Sequence, residues 1–419
     1  MKVLLINPNR YKSPPVPPLG LEYISGPLED KGHTVEIADL CFSENLHKDL
    51  DDAIGSFSPD IAGITVRNVD TVLYHTNEFF LDEIKNIITY IKSNYGLHVI
   101  TGGTGVSANP EGILKYLGAD FAVAGPAETT LCEVLDRITR THKNKRVFHG
   151  KLSGGNTCPR RTNKIDYRRY YDAGGIIGFQ THKGCSSSCV YCLEANSRVS
   201  FRDIPDVIDE IKSFVDSGFD HFHLCDSEFN ESLEYSINLC TALKKAGMGI
   251  KWAVYMKPSN FNRSLFRLLR DAGVYLITLS VDSWKKCEHY WSDFEKFIFG
   301  AKACGIGIAV DFLTGFPYEK KDDMLQYLDL LRGPLPDSIG VNTYIRLYKS
   351  LQITNIVHND AKLINRLSGH TDDDTFLKPV FYNHIDTDTL RELIKGDPLF
   401  RIEGLEKGVN YTRLETTET

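Results

Sequence analysis

"GCSSSCVYC", residues 184–192, places Cys185, Cys189 and Cys192 in the order C-x3-C-x2-C. A structural zinc site takes four protein ligands, and a disulfide takes two thiols. Three thiols in one short loop point to a metal centre with one position left open. Cubane iron–sulfur clusters are held by Cys thiolates, one to each iron. Three thiolates therefore leave one iron for a ligand that is not protein. Zinc is the competing reading, with Cys158 or His182 as a distant fourth ligand, because tetrahedral sulfur sites admit both metals. Zinc loops usually arrive as two C-x2-C pairs, and this stretch has one.

Downstream of the loop the chain alternates strands and helices. Strands are expected at 176–181, 219–225, 250–256, 274–281, 306–312 and 339–346. The helix at 203–217 opens at Asp203 near Pro205 and stops at Gly218. Six such units predict an open sheet or a partial barrel, short of the eight of a complete one. The cysteine loop follows the first strand, on the face where barrel enzymes do chemistry. Residues 347–419 have weak periodicity and many charges, and are expected only as a C-terminal region, with substrate binding as its candidate role.

Upstream, strands are expected at 2–6, 34–38, 61–66, 98–103 and 120–125. The clearest helix is 79–96, where Phe80, Ile84, Ile87, Ile88 and Ile91 repeat at helical spacing before Gly96. A closing helix is expected at 126–141. This alternation predicts a parallel sheet covered on both faces, with ligands at the carboxyl ends of its strands. "TGGTGVS" (101–107) would let a ligand approach the backbone closely. It matches neither G-x-G-x-x-G nor a Walker motif. The α/β organisation is thus 1–141, a polar linker 142–172, 173–346 and 347–419.

Composition narrows the class. With 42% hydrophobic and 25% charged residues, the 419-residue chain is globular in character. A net charge of −7 opposes a nucleic-acid-binding surface. No apolar run reaches the length of a membrane span. "MKVLLINPN" reads as a buried first strand rather than a signal peptide. Ten cysteines in so long a chain are not a disulfide framework, so a reducing cytoplasm is expected, with neither nucleic acid nor membrane as partner.

The cysteine spacing, with Tyr191 directly before the last cysteine, resembles the radical S-adenosylmethionine superfamily. The resemblance implies a partial (βα)6 barrel and a [4Fe–4S] cluster whose open iron binds S-adenosylmethionine and cleaves it to a 5′-deoxyadenosyl radical. It also implies cofactor contacts. Beside Tyr191 these are Asp226 and Glu228 in "HFHLCDSEFN" (221–230), Lys257 in "YMKP" (255–258), Ser280 and Asp282 in "LSVDS" (279–283), and Gly315 in "GIGIAVDFLTGFP" (305–317). A solvated strand end is the plainer account of each position, and of His221 and His223.

The first domain resembles the Rossmann-like cobalamin-binding domain that precedes many of these enzymes. "NPN…PPLGLEYISGPLEDKGHTVEIADL" (7–40), "PDIAGITV" (59–66) and "VITGGTGVSANPEGILKYLGADFAVAGPAETTL" (99–131) carry the likeness. The implied cobalamin contacts are Asn7, Pro8, Asn9, Leu19, Gly20, Thr65, Val66, Arg67, Asn68, Gly102, Gly103, Thr104, Gly125, Pro126 and Glu128. Two departures stand out. The Asp-x-His-x-x-Gly signature is absent, so no histidine is expected below cobalt. Relatives read Gly-Glu-Gly-Glu where this chain has Gly125-Pro126-Ala127-Glu128, and Pro126 removes a backbone donor. Arg67 or Asn68 would face cobalt from below; a surface salt bridge is the alternative for Arg67.

Together the resemblances imply a cobalamin-dependent radical S-adenosylmethionine methyltransferase acting at an unactivated carbon through methylcobalamin, with an electron donor such as ferredoxin or flavodoxin. The compact chain resembles the archaeal members that methylate a protein, such as the glutamine C-methyltransferase of methyl-coenzyme M reductase, so a protein or peptide substrate is expected. A natural-product methylase, a ring-forming cyclase, an RNA-modifying enzyme and a non-enzymatic cobalamin or iron–sulfur sensor are the alternatives. No catalytic side chain is assigned.

Overall fold

The computed structural model describes residues 1–139, 146–151 and 161–406. Cys158, part of the linker and the tail 407–419 lie outside them. The first body is a parallel sheet of strands β1 (Lys2–Asn7), β2 (Thr34–Asp39), β3 (Ile61–Thr65), β4 (Val99–Gly102), β5 (Phe121–Ala124) and β6 (Val147–His149), in the order β2-β1-β3-β4-β5-β6. In β1 every residue after Lys2 is buried, as expected for a strand covered on both faces. The covering helices are α1 (Leu19–Asp30), α2 (Leu46–Phe57), α3 (Leu81–Tyr95), α4 (Pro110–Leu117) and α5 (Thr130–Thr139). Helix α3 buries Leu81, Ile84, Ile87, Ile88 and Ile91, and Gly96 closes it at φ 63°. Helix α5 starts later than the apolar pattern suggests, at Thr130. Strand β6 comes from the stretch read as linker and pairs Val147, Phe148 and His149 with Ala122, Val123 and Ala124.

The second body is a seven-stranded parallel sheet, curved as a partial barrel. Its strands are β7 (Ile177–Phe179), β10 (His221–Leu224), β11 (Lys251–Met256), β12 (Val274–Asp282), β13 (Gly307–Leu313), β14 (Ser338–Asn342) and β18 (Phe400–Ile402). Helices α6 (Tyr167–Asp172), α7 (Ile204–Asp216), α8 (Leu233–Ala246), α9 (Arg263–Asp271), α10 (Glu288–Lys302), α11 (Lys321–Arg332) and α14 (Thr387–Ile394) accompany them. The seventh strand extends the six expected. It pairs Phe400, Arg401 and Ile402 with Ile339, Gly340 and Val341. Gly340 permits this: a Cβ there would overlap the side chains of Glu403 and Arg401.

Between β7 and α7 a small hairpin, β8 (His182–Lys183) with β9 (Ser200–Phe201), frames the cysteine loop. Residues 345–382 form a cap. It holds the antiparallel strands β15 (Ile345–Arg346), β16 (Leu367–Gly369) and β17 (Val380–Tyr382) and the helices α12 (Gln352–His358) and α13 (Ala361–Ile364). Its core of Ile345, Leu347, Leu351, Ile353, Val357 and Tyr382 also takes in Val190 and Phe316 from the barrel loops.

The two sheets are joined by buried charges. Arg161 donates to Glu22 at 3.0 Å, to Glu210 at 3.0 Å and to the Gly178 carbonyl at 2.8 Å. Arg202 donates to the other Glu210 oxygen at 2.8 Å. Among the described residues no helix is long and apolar enough to cross a membrane.

Candidate active site

The cysteine loop is shaped by its own backbone. Gly184 sits at φ 85°, and a Cβ there would overlap the Arg198 carbonyl, so only glycine lets the chain enter. The Cys185 N–H donates to Ser197 Oγ at 2.8 Å, and the Ser197 N–H donates back to the Cys185 carbonyl at 3.0 Å. The Cys192 N–H reaches the Cys189 carbonyl at 3.2 Å, and the Glu194 N–H points at Cys192 Sγ at 3.4 Å. Burial raises all three thiols above their ordinary value, and charge on Cys192 is opposed by Cys185 and charge on Cys189 by Cys192. Thiolates in such a place need a cation's charge, which a metal centre supplies. Among the described residues no trio of His, Cys, Asp or Glu is gathered tightly enough to hold a single metal ion. Three buried thiols carried on one short loop, each needing a cation to stand as thiolate, fit three corners of a cubane.

The strand ends around the loop sort into two groups. Burial pushes the Glu228 carboxyl up to about 8, against the charge of Lys257 and a hydrogen bond from Ser280. Glu228 Oε2 is buried without a hydrogen-bond partner among the described residues. The others are engaged in holding loops. Asp226 accepts from the Thr181 N–H at 2.8 Å, the Thr181 hydroxyl and the His182 N–H at 3.3 Å, tying β10 to β7. Lys257 Nζ donates to Glu231 at 2.8 Å and Ser187 at 3.2 Å, bracing the cysteine loop. Asp282 accepts from the Tyr191 hydroxyl at 3.1 Å and the Trp284 N–H at 2.9 Å, and pairs with Lys286 at 3.0 Å. Gly315 has φ 83° beside the Thr343 carbonyl, and its N–H donates to Glu319 at 2.8 Å.

Facing these is the rim of the first sheet. Arg67, Asn68, Thr104 and Gly125 are exposed at the ends of β3, β4 and β5, with Thr65, Gly102, Gly103, Pro126 and Glu128 half-buried behind them. The positive charge of Arg67 acts on both His223 and Cys225 of the barrel, so this loop looks into the barrel mouth. Leu19, next to exposed Gly20, lies 3.7 Å from where a Cβ of Gly178 would stand. Some of the expected residues shape the rim from inside. Val66 is wholly buried. A Cβ on Gly103 would meet the Val66 carbonyl at 2.6 Å, so its close approach is to protein backbone. Asn7 donates to Asp39 at 2.8 Å and accepts from the Asn9 N–H at 3.2 Å, folding the Asn7-Pro8-Asn9 turn. Glu128 forms an ion pair with Lys183 beside the cysteine loop.

Sequence reasoning did not reach Trp284, Phe316, Glu231 or Glu319. Trp284 and Tyr191 flank Phe316, with ring centroids at 5.4 and 5.6 Å. Glu319 accepts from the Thr314 hydroxyl and from the Gly315 and Phe316 N–H groups at 2.8–3.0 Å. A carboxylate four residues after a strand-end glycine was the available signal.

Comparison with known proteins agrees with this layout. The B12 binding domain family matches residues 13–135, and the radical SAM superfamily matches residues 179–331. The tryptophan 2-C-methyltransferase of Streptomyces laurentii is 25% identical, over 78% of this chain and 69% of its own. The radical S-adenosylmethionine methyltransferase TsrM from Kitasatospora setae, solved with cobalamin and a [4Fe–4S] cluster, superposes with a TM-score of 0.84. That match has 24% identity and covers 96% of this chain and 92% of that one. The cobalamin-dependent S-adenosylmethionine radical enzyme OxsB gives a TM-score of 0.75 at 14% identity, over 94% of this chain and 66% of that one.

Proposed function

A chain that joins a B12 binding domain to a radical SAM domain, on the fold of the cobalamin-dependent radical SAM methyltransferases, is a C-methylating enzyme that uses a [4Fe–4S] cluster, S-adenosylmethionine and cobalamin; from that premise we propose that it methylates a carbon of a small molecule held between its two sheets. The observation that carries the reading is the meeting of the first sheet's rim with the cysteine loop, where Glu128, just past β5, pairs with Lys183, two residues before Cys185. Each sheet ends its strands in the same cleft, so a cofactor on either rim meets the other. When bound, the cluster supplies the electron that cleaves S-adenosylmethionine and the cobalamin carries the methyl group.

The chain's own residues do the holding. Cys185, Cys189 and Cys192 would hold the cluster. Glu228 and Ser280 would line the approach to it, where the neutral form of Glu228 could donate a hydrogen bond. Arg67 would supply positive charge at the cobalamin rim. Trp284, Phe316 and the cap exclude water from the barrel mouth, which protects a primary radical. In the net reaction a substrate C–H becomes C–CH3. One S-adenosylmethionine leaves as S-adenosylhomocysteine. A second would end as methionine and 5′-deoxyadenosine, which carries away the substrate hydrogen. An external donor of the ferredoxin or flavodoxin class would supply the two electrons that this balance requires. Such chemistry suits a reducing cytoplasm, and every described cysteine is a free thiol.

The name of the tryptophan methyltransferase and the tryptophan-bound structure of TsrM support a substrate of amino-acid size. Neither is described as acting on a glutamine, so methyl-coenzyme M reductase gains no support from them. The test is anaerobic turnover of the reconstituted protein with reductant, S-adenosylmethionine, cobalamin, a panel of free amino acids including tryptophan, and a glutamine-containing peptide. Release of S-adenosylhomocysteine with methylation of a free small molecule is expected. Methylation of the peptide alone would overturn the substrate class, and release of neither S-adenosylhomocysteine nor 5′-deoxyadenosine would favour a sensor.

A further inference from the structure

The loop that carries Arg67 and Asn68 is fastened at its far end to the C-terminal cap, and we propose that this fastening, the buried Asp70–Arg346 pair, is the positioning device that sets the cobalamin rim against the iron–sulfur loop. The two cofactors take their identity from the proposed function; the fastening itself is a property of the chain.

Asp70 lies three residues beyond Arg67, and its side chain is 0% exposed; that of Arg346, on β15, is 3% exposed. Arg346 Nε donates to Asp70 Oδ2 at 2.8 Å. The rest of the guanidinium donates to the carbonyls of Leu347, Phe376 and Leu377, so the fork spans the start and end of the cap. The second Asp70 oxygen accepts from the Val72 N–H at 2.8 Å and from Asn77 at 3.4 Å. Val72 is held at φ 54°, which a β-branched residue adopts only under constraint. Two further contacts follow along the same loop. Tyr74 stacks on Tyr344, rings 3.9 Å apart and 4° from parallel. His75 Nε2 meets Thr387 Oγ1 at 3.0 Å.

The cap grips the iron–sulfur loop on its other side. The Ile353 N–H donates to the Val190 carbonyl at 3.1 Å, between Cys189 and Cys192. Val190 is buried among Leu351, Ile353 and Val357. One small packed unit therefore holds both loops. A buried ion pair is weak evidence for stability, since apolar residues of similar volume would pack as well; fixing a register is the best-attested use of one. Directional bonds from one guanidinium to Asp70 and to three cap carbonyls specify a single arrangement, which apolar packing would not. Asp70 and Arg346 act through the loops they hold and are positioning residues.

The experiment compares the parent with Asp70→Leu/Arg346→Met, which removes both charges and puts apolar side chains in their place. Should that variant fail to fold, Asp70→Asn keeps the shape, drops one charge and carries the same readouts. In protein without cofactors, amide exchange in 66–80 and 345–348 is expected to rise while the strands of both sheets stay protected. In reconstituted protein, iron and corrin contents are expected to match the parent, with a changed electron paramagnetic resonance spectrum of the Co(II) state. The kcat for S-adenosylhomocysteine release is expected to fall on the order of 10²-fold, as for a reacting group misplaced by about 1 Å, with KM for S-adenosylmethionine unchanged. An unchanged cobalt spectrum and kcat at full cofactor content would overturn the proposal, as would unchanged exchange in both segments. A parent protein that retains no cobalamin would instead sink the proposed function, and the exchange result would still decide the fastening.

Discussion

Glu228 has an environment that its place in the sequence does not show. Read along "DSEFN", it is one acidic residue at a strand end. Folded, it is buried against Ser280 with its pKa pushed up to about 8 from 4.5. A carboxyl raised in the folded state binds its proton more tightly there than in the unfolded chain. Its penalty is therefore absent below the unfolded value and grows as pH rises from about 4.5 to about 8. In protein without cofactors, Glu228→Gln should leave Tm unchanged at pH 4.5 and raise it progressively above the parent toward pH 8, by several degrees. A Tm difference independent of pH would refute the raised carboxyl. Neighbouring polar residues were equally visible in the sequence, but their tasks were not. Asp226 spends its oxygens on Thr181 and His182, 44–45 residues away, and Lys257 braces a loop some 70 residues back. Spacing along a chain reports which residues share a strand end; it does not report which partner each will meet.

At the scale of elements, periodicity located the long segments and failed on some of the short ones. Helix α3 was readable from its isoleucines, and β1 from its apolar run, because the face they bury is written in their own residues. Strands β6 and β18 have three residues each. So short a stretch carries no period, and each exists because a neighbouring edge strand offers its N–H and C=O groups. The cysteine loop lies between these extremes: its cysteines were legible, and the reason for its glycine was not. Gly184 has a positive φ and leaves no room for a Cβ against the Arg198 carbonyl. Gly184→Ala should cost about 1–3 kcal/mol of stability from backbone strain, and more from the overlap. It should lower iron retention after reconstitution while sparing cobalamin content. Iron content equal to the parent's would show that the loop tolerates the shift.

Across the whole molecule, the two sheets act together only if their interface is stiff. The Arg161 network supplies much of that stiffness, since Arg161, Glu22 and Glu210 are at most 7% exposed. Arg161→Met would leave the buried Glu22 without its cation, while Glu210 keeps Arg202, and should cost about 3–5 kcal/mol, read as a lower denaturant midpoint. A loss under about 1 kcal/mol would mean that the sheets are not joined there. The sequence alone determined the α/β class, the order of the two domains and the close spacing of Cys185, Cys189 and Cys192 in one strand-end loop. These follow from local spacing and from patterns that each segment carries by itself. Only the tertiary structure decided that the C-terminal region lends the barrel a seventh strand and caps both cofactor loops. It also decided that Arg67 looks into the barrel and that Asp70 meets Arg346 across 276 residues. Such pairings join segments with no common period, and their partners are chosen by the space left when the two sheets close on one another.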